Sequence, residues 1–302
     1  MDRFQAKLCS SRMEEEIGDG CAFVAACPAM TRIRAQIERA AGVDFPVLLL
    51  GETGVGKDAA ARLIHKLSPR AHGTLLKVNC ATLPADLLER KLFGYEATAF
   101  AQVTRPNPGQ FELCDKGTIL LDEVGELPAS IQAKLLQVLD DRKCFRPGGQ
   151  SLVTVDVRIL ASASASIEQA LATKRFRQDL YYRLNVLSIH IPPLRERTLE
   201  IPLLFRHFLK KYNEKFQKAT PEPSDHVLEA ARRYPWPGNL HEFENFVKRY
   251  VLAKSPPESH AGGPCEFVGV TAAQQRIPLK EATAPREQGW KAQSGAGRVT
   301  QQ

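Results

Sequence analysis

The chain has 302 residues, with 41 Lys plus Arg against 34 Asp plus Glu, and a formal net charge of +7 at neutral pH. That length carries one or two domains with a full core, and 43% apolar with 25% charged residues excludes wholesale disorder and a disulfide mini-scaffold alike. Seven cysteines, an odd number without a C-x-x-C pair, argue against a secreted disulfide framework and a zinc ribbon.

No apolar run approaches the ~18 residues of a membrane span. Glu14, Glu15 and Glu16 stand where a signal peptide would be apolar, so the expected location is the cytoplasm, without membrane contact. Residues 1–22 read as a polar segment. Pro28 to Ala41 follows the helical period, with Ile33, Ile37 and Ala40 on one face. Val47-Leu48-Leu49-Leu50 is apolar on every side, as a buried parallel strand is. Similar runs at 75–80, 119–121, 155–161 and 187–191, with helical stretches between them, predict an α/β core over 23–193 whose parallel sheet is covered on both faces.

Beyond Pro192-Pro193 only helices are predicted. Ile201, Leu204, Phe205, Phe208, Leu209 and Tyr212 make one apolar stripe, and Leu240, Phe243, Phe246, Val247, Tyr250 and Val251 make another. This is a small all-helical domain over 194–255. Residues 256–302, rich in Pro, Gly, Ala, Gln and Ser, have no sustained periodicity and are expected to be disordered.

The chemistry lies in two segments. Gly51-Glu52-Thr53-Gly54-Val55-Gly56-Lys57 leaves the first buried strand and enters a helix containing Ala60, Leu63 and Ile64. Glycines let the backbone curl until several amides face one point, and the helix dipole and Lys57 add positive charge there, which suits the β- and γ-phosphates of a nucleotide. The spacing alone also fits a glycine turn that packs a helix on a strand; the strand before and the helix after decide for the phosphate loop. Asp58 follows Lys57 where the general motif has a Mg²⁺-binding hydroxyl, so its carboxylate would act on the metal weakly or through water. The second segment, Gly117-Thr118-Ile119-Leu120-Leu121-Asp122-Glu123, is an apolar strand ending in two acids. Alternation points them to opposite sides, one to hold Mg²⁺ and the other to polarise a water aimed at the γ-phosphate.

With these motifs the chain from Phe23 to Ser255 resembles the central AAA+ ATPase domain of bacterial σ54-dependent transcription activators, the NtrC-like enhancer-binding proteins. The resemblance also rests on Val78-Asn79-Cys80-Ala81, Leu92-Phe93-Gly94-Tyr95-Glu96, the segment from Phe176 through Arg177 and Arg183 to Val186, Pro192-Pro193-Leu194-Arg195-Glu196-Arg197 and Trp236-Pro237-Gly238-Asn239. It implies a ring, usually a hexamer, with ATP between subunits, whose hydrolysis remodels σ54 RNA polymerase, and it makes the helical domain a lid. By motif, Gly51, Glu52, Thr53, Gly54, Val55, Gly56, Lys57 and Asp58 would bind the nucleotide. Asp122 would hold Mg²⁺, Glu123 would activate water and Asn79 would restrain or release Glu123. Arg177 and Arg183 would reach a neighbouring subunit's ATP.

The chain also departs from the family. The σ54-contact loop, Gly-Ala-Phe-Thr-Gly-Ala in the family, here reads Thr98-Ala99-Phe100-Ala101-Gln102-Val103. Both glycines and the threonine hydroxyl are lost, which is expected to weaken that contact. Ser162-Ala163-Ser164 replaces the sensing Ala-Thr-Asn, Ala25 replaces a glycine beside the adenine, and His241 takes the place of a phosphate-sensing arginine. Pro278-Leu279-Lys280-Glu281-Ala282 resembles the lead-in to the family's helix-turn-helix, yet no apolar pattern follows and no DNA reader is expected. The leading expectation is an ATPase of the activator type. The alternative is a nucleotide-binding regulatory partner that joins the rings of complete relatives, and other AAA+ work such as helicase loading is disfavoured by the activator-specific segments.

Overall fold

The computed structural model describes residues 14–18, 21–96, 106–149 and 152–253. Strands β1 (Glu14–Gly18) and β2 (Cys21–Val24) form an antiparallel hairpin with Glu14 opposite Val24. The three acids of β1 masked any strand pattern, and the hairpin straddles the boundary expected at residue 22. Helix α1 (Pro28–Ala41) begins with Pro28, whose missing N–H costs nothing in a first turn, while Cys27 Sγ accepts from the Met30 N–H at 3.4 Å. Met30, Ile33, Ile37 and Ala40 are its buried stripe.

Next come β3 (Val47–Leu50), α2 (Lys57–Lys66), β4 (Leu75–Asn79) and α3 (Ala85–Phe93). The short pair β5 (Gly94–Tyr95) and β6 (Asn107–Pro108) closes the base of a loop. Gly94 is required there: its φ is +75°, and a Cβ would lie 2.3 Å from the Asn107 carbonyl oxygen. Thr98, Ala99, Phe100, Ala101, Gln102 and Val103 lie outside the described residues, as do 256–302. The chain continues through α4 (Gln110–Leu113), β7 (Thr118–Asp122), α5 (Ala129–Asp141), the hairpin β8 (Lys143–Phe145) and β9 (Leu152–Thr154), and β10 (Arg158–Ala163). Then follow α6 (Ser166–Ala172), α7 (Gln178–Leu184) and β11 (Leu187–His190).

Five strands make one parallel sheet in the order β11-β3-β10-β7-β4. Alternation sends Val47, Leu49, Leu120 and Leu160 into one core with Ile37 and Ile64, and Leu48, Ile119, Leu121 and Ile159 into the other with Phe93, Phe111 and Leu135. A strand covered on both faces needs apolar residues at every position, as the sequence pattern required.

The strand expected over 155–161 instead runs from Arg158 to Ala163. Asp156 is the cause. Its carboxylate takes Arg70 at 2.7 Å, Lys116 at 2.8 Å and Arg142 at 2.9 Å, and its N–H donates to Asp115, fixing a polar corner before the ladder begins. Arg158 then enters the sheet almost fully buried, donating to the carbonyls of Ala40 and Ala41 at 2.6 and 3.3 Å.

Helices α8 (Ile201–Phe216), α9 (Asp225–Arg233) and α10 (Asn239–Leu252) build a separate core. Trp236 meets Phe243 edge-on at 4.9 Å and Phe205 meets Tyr250 at 5.2 Å, the arrangement the ring quadrupoles favour. The Trp236 indole N–H donates to the Ala231 carbonyl at 2.7 Å, so its polar edge is satisfied inside the core.

Candidate functional site

The turn between β3 and α2 carries three glycines at positive φ, Gly51 at +152°, Gly54 at +79° and Gly56 at +100°. Gly54 cannot be replaced without movement, because a Cβ would stand 2.5 Å from the Gly238 carbonyl oxygen. The curl brings Lys57, at the first position of α2, back over the loop, where it is 6% exposed. Its Nζ donates to the carbonyls of Gly51 at 2.8 Å and Glu52 at 3.3 Å, and pairs with Glu123 Oε1 at 3.2 Å. A buried ammonium is costly unless it is paired and hydrogen-bonded, and these oxygens meet that demand.

Asp122 ends β7, the second strand over from β3 with β10 between them, and Glu123 follows it directly. Glu123 has φ +55°, a left-handed value that a non-glycine residue adopts only under tight constraint, and its N–H donates to Ser162 Oγ at 3.2 Å. The Ser162 hydroxyl in turn donates to Asp122 Oδ1. Asn79, paired in register with Asp122 across β4 and β7, donates to Asp122 Oδ2 at 3.5 Å and accepts the Ala81 N–H at 2.9 Å. In this state it is therefore Asp122 that Asn79 touches, while Glu123 rests on Lys57.

These groups form one wall of an open cavity of about 600 Å³, lined on the core side by Thr53, Gly54, Gly56, Lys57, Asp58, Asp122 and Glu123. The opposite wall belongs to the helical domain, with Phe208, Lys211, Leu240, His241 and Glu244. The volume lies in the range of small-molecule and nucleotide sites. Lys77 also lines it and pairs with both Asp58 and Asp122 at 3.1 Å, while Arg62 holds Asp58 at 3.0 Å. Burial would raise the Asp58 carboxyl, but the charges of Lys77 and Arg62 outweigh it and hold it below its usual range. Behind the wall, burial pushes the Cys80 thiol up to about 12, helped by Asp122 and Glu123, so this cysteine stays protonated.

The helical domain grips the phosphate loop directly. Asn239, fully buried and left-handed at φ +52°, donates to Glu52 Oε2 and to the Thr53 carbonyl, both at 3.1 Å, and accepts the Leu194 N–H at 2.8 Å. The Leu240 N–H donates to the Gly54 carbonyl at 2.9 Å. Arg195 makes a two-pronged pair with Glu52, and this hydrogen bonding, with that from Asn239, holds the Glu52 carboxyl down to about 2. Deeper still, the buried Arg197 donates to the Val55 carbonyl and pairs with Glu200 at 3.5 Å; Glu200 accepts the N–H groups of Ala26 at 2.8 Å and Cys27 at 3.3 Å.

Of the residues expected from sequence, Thr53, Gly54, Gly56, Lys57, Asp58, Asp122, Glu123 and His241 line this cavity, whereas Gly51, Glu52 and Val55 belong to the same turn outside its lining, Glu52 turned to Arg195 and Asn239, and Asn79 touches Asp122. Arg177 and Arg183 do not line it. Arg177 caps the start of α7 and Arg183 lies in its last turn, where Arg177 pairs with Asp179 at 2.7 Å and Arg183 with Asp140 at 2.6 Å, both about half exposed. Sequence reasoning missed Lys77, Arg62, Lys211 and Glu244. Lys77 sat two residues before Asn79 on a strand, hence on the same face, a signal that was available.

A glycine turn at the end of a parallel strand, an acidic pair at the end of a nearby strand and a helical cap define a P-loop domain of AAA+ architecture. Residues 23–190 match the Sigma-54 interaction domain and 195–260 the AAA+ ATPase lid domain. The chain belongs to the Sigma-54 interaction domain family. It is 45% identical over 232 residues to the transcriptional regulatory protein XylR of Pseudomonas putida, covering 77% of this chain and 41% of the relative. It is also 46% identical over 221 residues to a Nif-specific regulatory protein of Herbaspirillum seropedicae, covering 73% of this chain and 41% of that one. The chain thus spans about two fifths of the length of these curated relatives. Among solved structures, NtrX from Brucella abortus in complex with ADP superposes with a TM-score of 0.75 at 30% identity, covering 92% of this chain and 60% of the other, and NtrX with ATP gives 0.73 at 31%, covering 88% and 60%. Among the described residues no helix is long and apolar enough to cross a membrane.

Proposed function

We propose that this chain binds ATP with Mg²⁺ in the cavity between sheet and lid, hydrolyses it within a ring of like subunits, and uses the cycle in the cytoplasm to act on σ54 RNA polymerase. The observation that carries the reading is the meeting of Lys57, Asp122 and Glu123 at the ends of β3 and β7. NtrX, similar over most of this chain, is a complex with ADP in one solved structure and with ATP in another, which supports an adenine nucleotide.

The donor set suits Mg²⁺, which is usually held by one or two carboxylates together with phosphate oxygens. Asp58 Oδ1 and Asp122 Oδ2 already converge on one cation, the Lys77 ammonium, each at 3.1 Å. Asp122 would be the direct ligand. Once bound, the ion would neutralise phosphate charge. On the protein's side, Lys57 exchanges its three oxygen partners for phosphate, the helix dipole of α2 adds to the attraction, and Glu123, freed from Lys57, accepts a proton from the attacking water. Arg177 and Arg183, on the exposed edge of α7, are the groups to offer charge to a neighbour's transferred phosphoryl, a contribution of about 10³ to 10⁵ in rate.

ATP turnover per subunit, followed against protein concentration, tests this reading. Turnover is expected to collapse on dilution, and Arg177→Ala is expected to abolish it at every concentration while nucleotide binding persists. Turnover that stays constant down to the monomer would remove the trans arginine. A regulatory partner without productive σ54 contact is the second reading, favoured by Ala101 and Gln102 in the contact loop and by His241 in the lid. Capture of σ54 by the chain with a transition-state nucleotide mimic contradicts it; capture only after residues 98–103 are changed toward the family loop supports it.

A further inference from the structure

Lys77 faces the cavity without a part in the proposed reaction. It rises from the edge strand β4, and its pairing with β7 sets Lys77 opposite Leu120 and Asn79 opposite Asp122. The two-residue period places Lys77, Asn79, Leu120 and Asp122 on one face. The Lys77 Nζ lies 3.1 Å from Asp58 Oδ1 and 3.1 Å from Asp122 Oδ2, joining carboxylates from two elements, the first turn of α2 and the end of β7. Carboxylates brought this close repel unless a cation stands between them. Asp58 has a second cation in Arg62, and Glu123 has Lys57, so three carboxylates here face three cations and the wall is balanced with no added ion.

We propose that Lys77 is a built-in counter-cation at the meeting point of Asp58 and Asp122, and that it sets the affinity of the nucleotide site for its divalent ion by competing for those oxygens. This rests on the reading of the cavity as a metal-nucleotide site. The ammonium is monovalent, sits on a flexible stem and is 40% exposed, so it can turn outward as a divalent ion enters. It keeps Asp58 and Asp122 together beforehand, and the ion must displace it. Lys77 is therefore a positioning residue that acts through the two aspartates.

The 302-residue chain, saturated with ADP, is titrated with Mn²⁺ and free ion is read by electron paramagnetic resonance. Lys77→Met keeps the apolar stem and removes the charge. It is expected to tighten Mn²⁺ about five- to tenfold, the size of one partly screened charge contact. Lys77→Arg, which keeps the charge, is expected to stay within about twofold of the parent. Lys77→Gln serves if the methionine variant does not fold. ADP affinity in EDTA is measured on the same samples. Metal-free ADP binding with equal or weaker Mn²⁺ affinity in Lys77→Met overturns the role of Lys77 and leaves the nucleotide reading standing; no ADP binding with or without metal overturns both.

Discussion

The two walls of the cavity are built differently. On the core side, Lys57, Asp122 and Glu123 sit where strands or the turn after a strand end, anchored by a ladder bonded on both sides of β3 and β7. On the lid side, Phe208, Lys211, His241 and Glu244 ride on helices whose hold on the core runs through a few polar contacts: Asn239 and Arg195 on Glu52, Leu240 on Gly54, and Arg197 with Glu200 on Val55, Ala26 and Cys27. The core wall can keep charges in register for chemistry. The lid wall is placed to respond, because Asn239, Arg195, Leu240 and Arg197 all tie it to the phosphate loop, while Glu200 on Ala26 and Cys27 and His207 on Glu14 hold it to the segment before α1.

The sharpest way to break this contrast is Glu123→Gln on the core wall. Phosphate release is expected to fall about 10²- to 10⁴-fold, as when a general base is removed. Nucleotide affinity, read by fluorescent ADP titration, should hold, and equal turnover by mutant and parent would dismiss Glu123 as the base. The lid ties come next. Glu200→Ala leaves Arg197 buried without its counter-charge and two amides without their acceptor, so urea unfolding should show a loss of about 3 to 5 kcal/mol. A loss below about 1 kcal/mol would mean the pair does not hold lid to core. The smallest effect belongs to the lid wall itself. His241→Arg adds a permanent charge facing the phosphate loop and should tighten ATP about five- to tenfold by calorimetry, with a smaller change for ADP. An equal gain for both nucleotides would place residue 241 away from the γ-phosphate.

How much could be read from sequence follows the same division. The phosphate loop and acidic pair are local: Gly51 to Lys57 needs only a strand before and a helix after, and Val47–Leu50 with Lys57–Lys66 supply them. The helix Pro28–Ala41 was legible from its stripe and its proline, and the aromatic stripes of α8 and α10 from their spacing. The start of β10 was not, because Asp156 is fixed by Arg70, distant in sequence, and no local pattern records that pairing. Glu200 was equally hidden. An acid beside Arg197 reads as surface until the fold brings the Ala26 and Cys27 amides to it, where burial raises its carboxyl above the usual range although Arg197 and those amides pull it down. The hairpin of β1 and β2 escaped notice because Glu15 and Glu14 pair with Arg34 and with His207, partners supplied by α1 and α8.

In the proposed function, the loop of residues 51–57 and the acids Asp122 and Glu123 form one site for a metal-bound adenine nucleotide. The most direct measurement is calorimetric titration of the purified chain with ADP and Mg²⁺, beside Lys57→Ala. Saturable one-site binding by the parent, weakened at least about a hundredfold in the variant, is the expected result, since a buried charge-assisted phosphate contact would be lost. No binding by the parent, or equal binding by both proteins, would contradict it.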